Sequence, residues 1–286
     1  MNIIISGNKN KNKFNRILNN IYKHLSNYND IVIYIDSHVK NPSIANLYKF
    51  SKIDSIRNNY DLVISIGGDG AILSCVRRMK LNQVPLLGIH IGNLGFLNHC
   101  DKSNYKKYFE KIFKEKKYVY NKHRLVKASF FDINNKERTI IALNDIVISQ
   151  PEIPRLLNLD VYIGNRLLNK FNSDAIIFST PLGSTAYSLS AGGPIVSPEV
   201  DCLVITPVAP HTLSLRPIVL KSNEKIKILT KNNIGKISIS SDGQKKYNIY
   251  KKTGINIINT NRYATFISVP ILNNYYEKLR KKIGWR

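Results

Sequence analysis

The chain has 286 residues and carries 43 basic against 19 acidic side chains, a formal charge of +24 at pH 7. With 43% hydrophobic residues it holds apolar material for one large or two medium packed domains, which excludes a disordered polyelectrolyte. The charge fits a polyanionic partner (nucleic acid, an anionic membrane or phosphorylated ligands), or a drift toward Lys, Asn, Ile and Tyr of the kind that A/T-rich codons impose.

Ile3 to Ser6 reads as a strand, and Asn15 to Leu25 as an amphipathic helix with Ile17, Leu18, Ile21 and Leu25 on one face. Ile31 to Ile35 and Leu62 to Ile66 are further strands; the latter runs into Gly67-Gly68-Asp69-Gly70, and Ala71 to Met79 then has helical spacing. Val84 to Ile89 is a fourth strand, followed by the loop Gly92-Asn93-Leu94-Gly95, and Asp101 to Lys116 reads as a basic helix. Strands alternating with helices predict a parallel sheet covered by crossover helices. From about Tyr118 the period changes. Lys127–Asp132, Arg138–Ser149, Leu156–Ile163, Ala175–Ser179, Leu203–Thr206, Lys225–Thr230, Ile237–Ser240 and Tyr263–Val269 are β-type runs, separated by turns such as Asn134-Asn135, Gly164-Asn165 and Asn232-Asn233. Leu272 to Ile283 returns to helical spacing. The expectation is an α/β domain over residues 1–120 and a β-rich, sandwich-like domain over 121–269.

Four segments concentrate chemistry. In DLVISIGGDGAIL, residues 61–73, a strand ends in glycines at a helix start, where bare amides and the dipole favour a phosphate. Asp69 would repel that phosphate unless it held a metal or took a proton from an attacking hydroxyl, as phosphoryl transfer requires; its other reading is a helix cap. STPLGSTAYSLSAGGPIV, residues 179–196, offers hydroxyls to ribose, amide or phosphate groups, or else a helix start rich in caps. In ALNDIVIS, residues 142–149, Asn144 and Asp145 are either turn residues or a clamp for vicinal ribose hydroxyls. SSDGQ, residues 240–244, reads by itself as a hairpin turn.

Several classes drop out. Cys75, Cys100 and Cys202 form no C-x-x-C pair, so neither a zinc ribbon nor a disulfide framework is indicated. The start lacks a signal-peptide core, and no apolar stretch approaches the roughly 18 residues that span a bilayer; the expectation is a soluble cytoplasmic protein. There is no P-loop, G-x-G-x-x-G, G-x-S-x-G or H-E-x-x-H. The lysines at 9–13 and 278–282 read as solvated faces, with no interleaved stacking aromatics, so no specific nucleic-acid partner is expected.

Taken in order, GGDG at 67–70, GIHIGNLGFL at 88–97, LND at 143–145, SD at 173–174, STPLGSTAYSLSAGGPI at 179–195 and PHTLSLRPIV at 210–219 resemble the NAD kinase family, closely its bacterial members. The resemblance implies ATP-dependent phosphorylation of the adenosine-ribose 2′-hydroxyl of NAD with a divalent metal, Mg or Mn. It implies Asp69 as the base and Gly70 as phosphate-contacting backbone. Asn144 and Asp145 match an Asn-Glu pair that grips NAD hydroxyls, and Asp174 a carboxylate near the nicotinamide. Thr185, Ala186, Tyr187, Ser188, Leu189 and Ser190 match the lining of the adenine and nicotinamide pockets, Gln244 a glutamine closing the NAD site, and Arg155 and Asn172 further NAD contacts. It also implies a C-terminal segment, 270–286, that returns to the first domain, an active site in the cleft, and a homodimer or homotetramer. Three positions depart from the family: Asp145 for Glu, Leu182 for Thr, and Asn172 for a basic residue. The rivals are a lipid or sugar kinase sharing GGDG and a basic nucleic-acid-binding module.

Overall fold

The computed structural model describes residues 1–54, 59–80, 82–92, 95–150, 157–212, 214–230, 237–249, 254–272 and 274–285. They divide into two units, Met1–Lys122 with Ala264–Arg286, and His123–Tyr263.

In the first unit the chain runs β1 (Asn2–Gly7), α1 (Phe14–Leu25), β2 (Val32–Asp36), β3 (Phe50–Ser51), β4 (Leu62–Gly67), α2 (Asp69–Met79), β5 (Leu86–His90), β6 (Cys100–Asp101) and α3 (Tyr105–Phe109). The sheet order is β5-β4-β1-β2-β3 and every one of these pairings is parallel, with Ile3 beside both Ile33 and Leu62. Parallel strands are covered on both faces, which is why Ile3, Ile4 and Ile5 are all fully buried rather than alternating. α1 buries Phe14 and the four residues its spacing singles out, Ile17, Leu18, Ile21 and Leu25. At the ends of β1 and β2, the Arg78 guanidinium of α2 donates to the buried Asp36 carboxylate and, at 2.8 Å, to Ser6 Oγ; Ser6 Oγ donates to Asp36 at 2.6 Å.

The expected helix over Asp101–Lys116 starts later, at Tyr105. Asp101 belongs to β6, and its carboxylate accepts the Ser103 and Asn104 N–H groups, which turns the chain before the helix begins. α3 then loosens into a π turn over Glu110–Lys114.

The second unit contains most of β7 (Val119–Phe131), then β8 (Glu137–Ala142), β9 (Asp145–Ser149), β10 (Leu157–Ile163), β11 (Arg166–Ser173), β12 (Ala175–Ser179), the short α4 (Tyr187–Ser190), β13 (Cys202–Val208), β14 (Ile218–Lys221), β15 (Ile226–Thr230), β16 (Ile237–Ser241) and β17 (Lys245–Ile249). β18 (Gly254–Ser268) begins here and ends in the first unit, where Phe266 pairs in parallel with Leu86. α5 (Tyr275–Ile283) follows, its start capped by the Asn274 side chain. One antiparallel sheet has the order β14-β13-β12-β9-β16-β17. A second antiparallel run joins β11, β10, β15 and the start of β18. Alternate residues of both meet in one core, among them Ile146, Ile148, Ile176 and Phe178 from the first and Leu159, Val161, Ile228 and Ile257 from the second.

The run Arg138–Ser149 is two strands, not one. The break falls at Leu143-Asn144, where the backbone turns its amides away from strand pairing, for a reason given below.

Candidate functional site

The chemistry-bearing residues fall into two sets, one on each unit. In the first, β4 ends at Gly67, Gly68 is the extended N-cap of α2, and Asp69 is its first helical residue. A carboxylate in the first turn is favoured by the positive end of the helix dipole. No side chain caps this helix, so Asp69 is not spent on capping. Its Oδ2 accepts the Phe96 N–H at 2.7 Å, and its Oδ1 accepts the Leu97 N–H at 3.1 Å and the Asn98 Nδ2–H at 2.8 Å. The segment after β5 therefore aims the half-buried carboxylate. Gly95 permits that approach: a Cβ there would lie 1.8 Å from Asp69 Oδ1. A carboxylate has about four acceptor positions. Three are filled here among the described residues, which leaves one for an incoming hydroxyl.

The carbonyls of the same segment are held by Lys278 of α5, whose Nζ donates to Phe96 O at 3.2 Å and Asn98 O at 2.7 Å. Burial pushes this ammonium below its ordinary pKa, while the charge of Asp69 and the neighbouring Cys100 act in the opposite sense. Lys278 is thus not part of a solvated lysine face, as its sequence neighbourhood suggests; one turn of helix places it inward while Lys281 stays out, paired with Glu277.

In the second unit three segments far apart in sequence converge. β9 begins at Asp145 and lies between β12 and β16, with Asp145 opposite Ser179 and Ile146 opposite Ser241. From the β12 side, Thr180 Oγ1 donates to Leu143 O at 2.6 Å and Thr180 N–H to Asn144 O at 2.9 Å. Gly183 passes so close to the Asn144 carbonyl that a Cβ there would sit 2.1 Å from its oxygen. From the β16 side, the hairpin tip reaches back. Asp242 accepts the N–H groups of Leu143 (3.1 Å), Asn144 (2.8 Å) and Asp145 (3.3 Å) in succession, and its own N–H donates to Asp145 O at 3.0 Å. Those bonds are what break the strand at Leu143-Asn144.

Among the described residues this bracing leaves one buried polar atom unpaired, beside a buried carboxyl. Asn144 Oδ1 is buried with no hydrogen bond. The Asp145 carboxyl is only 4% exposed, and burial, followed by the charge of Asp242, raises its pKa to about 7. An orphaned amide oxygen beside a carboxyl of raised pKa is the kind of acceptor set that a ligand hydroxyl completes.

The remaining expected residues are placed as follows. Thr185 is half-buried, its hydroxyl bonded to Leu182 O at 3.2 Å; Ala186 and Leu189 are half-buried; Tyr187 is 45% exposed and Ser190 is exposed. The Ser188 hydroxyl is buried against Thr206 Oγ1 at 2.8 Å, and Ser184 is spent on Pro181 O and the Val196 N–H, so these two hydroxyls brace the segment. Asn172 and Asp174 lie at the end of β11 with exposed side chains. Gln244 is exposed on the hairpin after Asp242, and Gly70 is exposed in the first turn of α2. Arg155 and the Asn232-Asn233 turn lie outside the described residues. Asn98, Thr180, Asp242 and Lys278 act in these sets without being singled out by the sequence. Asp242 left a trace as the Asp-Gly of a hairpin turn, and Thr180 as part of the hydroxyl-rich segment 179–196.

Comparisons with known proteins agree over both units. The sequence model of the ATP-NAD kinase N-terminal domain matches residues 3–118, and that of the ATP-NAD kinase C-terminal domain matches residues 143–269. The chain is 32% identical to the NAD kinase of Flavobacterium psychrophilum over 292 residues, covering 100% of this chain and 98% of that one. It is 38% identical to the NAD kinase of Ruminiclostridium cellulolyticum over 247 residues, covering 85% and 86%. Among solved structures, yeast NADH kinase complexed with NADH aligns with a TM-score of 0.89 at 25% identity, covering 100% of this chain and 88% of that one. An NAD kinase from Archaeoglobus fulgidus in complex with ATP aligns at 0.75 and 22% identity, covering 99% and 98%, a likeness of fold.

Proposed function

The chain belongs to the NAD kinase family and uses ATP to phosphorylate NAD, and we propose that Asp69 acts as the general base while Asn144 and Asp145 hold the acceptor. In this reading the vicinal hydroxyls of a ribose of NAD bond to the Asn144 amide oxygen and the Asp145 carboxyl. The observation that supports it is that, among the described residues, the buried Asn144 amide oxygen has no hydrogen-bond partner and stands beside the buried Asp145 carboxyl. The remaining acceptor position of Asp69 takes the proton of the adenosine-ribose 2′-hydroxyl as its oxygen attacks the terminal phosphorus of ATP; the bond to the bridging oxygen breaks and ADP leaves. The amides at the start of α2, with Gly70 exposed among them, suit the phosphates.

Tyr187, exposed at the start of α4, is suited to stack on a base, and Thr185, Ala186, Leu189 and Ser190 extend that wall. Ser188 contributes shape rather than its hydroxyl. Asn172, Asp174, Arg155 and Gln244 belong to the acceptor side of the same reading. Among the described residues no group of three His, Cys, Asp or Glu side chains is placed to hold a metal ion. The divalent cation, Mg or Mn, enters this reading with the nucleotide, as part of the substrate. The same resemblance carries a homodimer or homotetramer, to be read as a multiple of 32.6 kDa in solution. No helix among the described residues is long and apolar enough to cross a membrane.

The test is NADP formation from NAD, ATP and Mg by the parent and by Asp69→Asn. The expected loss of kcat is about 100-fold or more, the range of general-base contributions. A folded parent that makes no NADP, or a variant that matches it, would overturn the assignment.

A further inference from the structure

The SSDGQ segment explains itself as a hairpin only in part. Asp242 and Gly243 occupy the left-handed region, with φ of 50° and 62°, and the Gln244 N–H closes the turn on Ser241 O at 3.0 Å. Asp-Gly suits that backbone, and an exposed turn aspartate would end the matter. Asp242 is instead buried, 9% exposed, and its carboxylate gathers three consecutive amides of the Leu143–Asp145 segment. Three amides converging on one ionised oxygen pair make a strong, directional anchor.

We propose that Asp242 is a positioning residue for the acceptor: its carboxylate, clamped on the amides of Leu143, Asn144 and Asp145, fixes the two side chains that hold the ribose hydroxyls and sets a negative charge beside one of them. The inference deepens the acceptor reading and rests on it. Asp242 acts on NAD only through Asn144 and Asp145. Its charge is also the one that faces Asp145. The flanking strands β12 and β16 carry no ionisable side chain, the Leu182–Thr185 turn carries none, and Glu137 and Arg138 stand at the far end of β8. A ribose hydroxyl donates more strongly to an ionised carboxylate than to a protonated one, so acid weakens the grip as Asp145 takes a proton. The position of that loss on the pH scale is raised by burial and, beyond it, by Asp242.

The test compares the parent, Asp242→Asn and Asp145→Asn, with KM for NAD and KM for ATP measured from acid to alkaline pH. Asp242→Asn keeps the shape and one carbonyl acceptor but removes the charge. Its KM for NAD is expected to rise about tenfold, from the loss of charged acceptors. Its KM for ATP should hold, and the acid-side rise in KM for NAD should move to lower pH. A merely structural role would leave the position of that rise unchanged; a folded Asp242→Asn with the parental pH profile therefore overturns the proposal. Asp145→Asn separates the two levels. If its KM for NAD equals the parent's, the acceptor reading itself fails; if it rises and loses its pH dependence while Asp242→Asn keeps the parental profile, only the role of Asp242 fails. Should Asp242→Asn not fold, infrared titration of the parent decides. A carboxyl band titrating near neutrality and missing in Asp145→Asn is the expected result, and its absence overturns the proposal.

Discussion

Asp145, proposed above to hold the acceptor, works against the fold that carries it. Its pKa lies near 7 in the folded chain and near the ordinary 3.8 when unfolded, so the folded state binds its proton more tightly. Stability contributed by this group is therefore full below the unfolded value and is lost as pH rises through the folded one. At about 1.36 kcal/mol per pH unit, the whole cost above neutrality is roughly 4 kcal/mol at most. Asp145→Asn removes the charge and keeps the size. It is expected to unfold at a higher temperature than the parent at pH 8, with the gain disappearing toward pH 4, while KM for NAD worsens. Thermal melts at the two pH values check this, and a variant no more stable at pH 8 contradicts it. The one-methylene shortening that distinguishes Asp145 from the family's Glu belongs to the same balance. A shorter carboxyl stays closer to the backbone that Asp242 anchors, and deeper in the unit.

At the scale of elements, the segment after β5 is a small machine of opposite polarity on its two sides: amides bond the Asp69 carboxylate and carbonyls bond the Lys278 ammonium. Gly95→Ala forces a Cβ into Asp69 Oδ1, so either the carboxylate or the segment must move. A displacement near an ångström costs about 100-fold in rate. The expected result is kcat lowered by that order with a small change in thermal stability, measured by steady-state NADP formation and melting. What the sequence revealed among the elements has a physical pattern. Inner strands such as β1, β4, β9 and β12 are apolar enough to be read directly. Of the strands passed over, β3 and β6 are two residues long, and β11, β14 and β17 lie at sheet edges, where one side meets solvent and lysines and asparagines interrupt the apolar period. Of the candidate site, Asp69, Asn144 and Asp145 stand in short motifs that also read as a cap or a turn, and the order of the motifs along the chain is what sets them apart. Asn98 and Lys278 act through contacts between distant segments, which no local pattern encodes.

For the molecule as a whole, +24 spread over 286 residues is a field rather than a site. The groups that handle substrate in the proposed mechanism are amides, hydroxyls and carboxyls, so the lysines serve the encounter more than the chemistry. Steering of this kind is screened by salt, as the Debye length falls from about 30 Å at 0.01 M to about 3 Å at 1 M. Accordingly kcat/KM for ATP and for NAD is expected to fall over that range while kcat at saturation stays nearly level. Steady-state kinetics at graded ionic strength check this, and a flat kcat/KM would remove any functional part from the charge.

The discontinuity of the first unit has a bearing on how the protein is made. Its sheet and Asp69 are encoded in residues 1–122, yet the end of β18, the Val269 contact in its core and the Lys278 tie come from residues 264–285. A growing polypeptide on the ribosome can form the whole second unit before the first is finished. Translation must pass the α5 codons before the segment that bonds the Asp69 carboxylate receives its tie to Lys278.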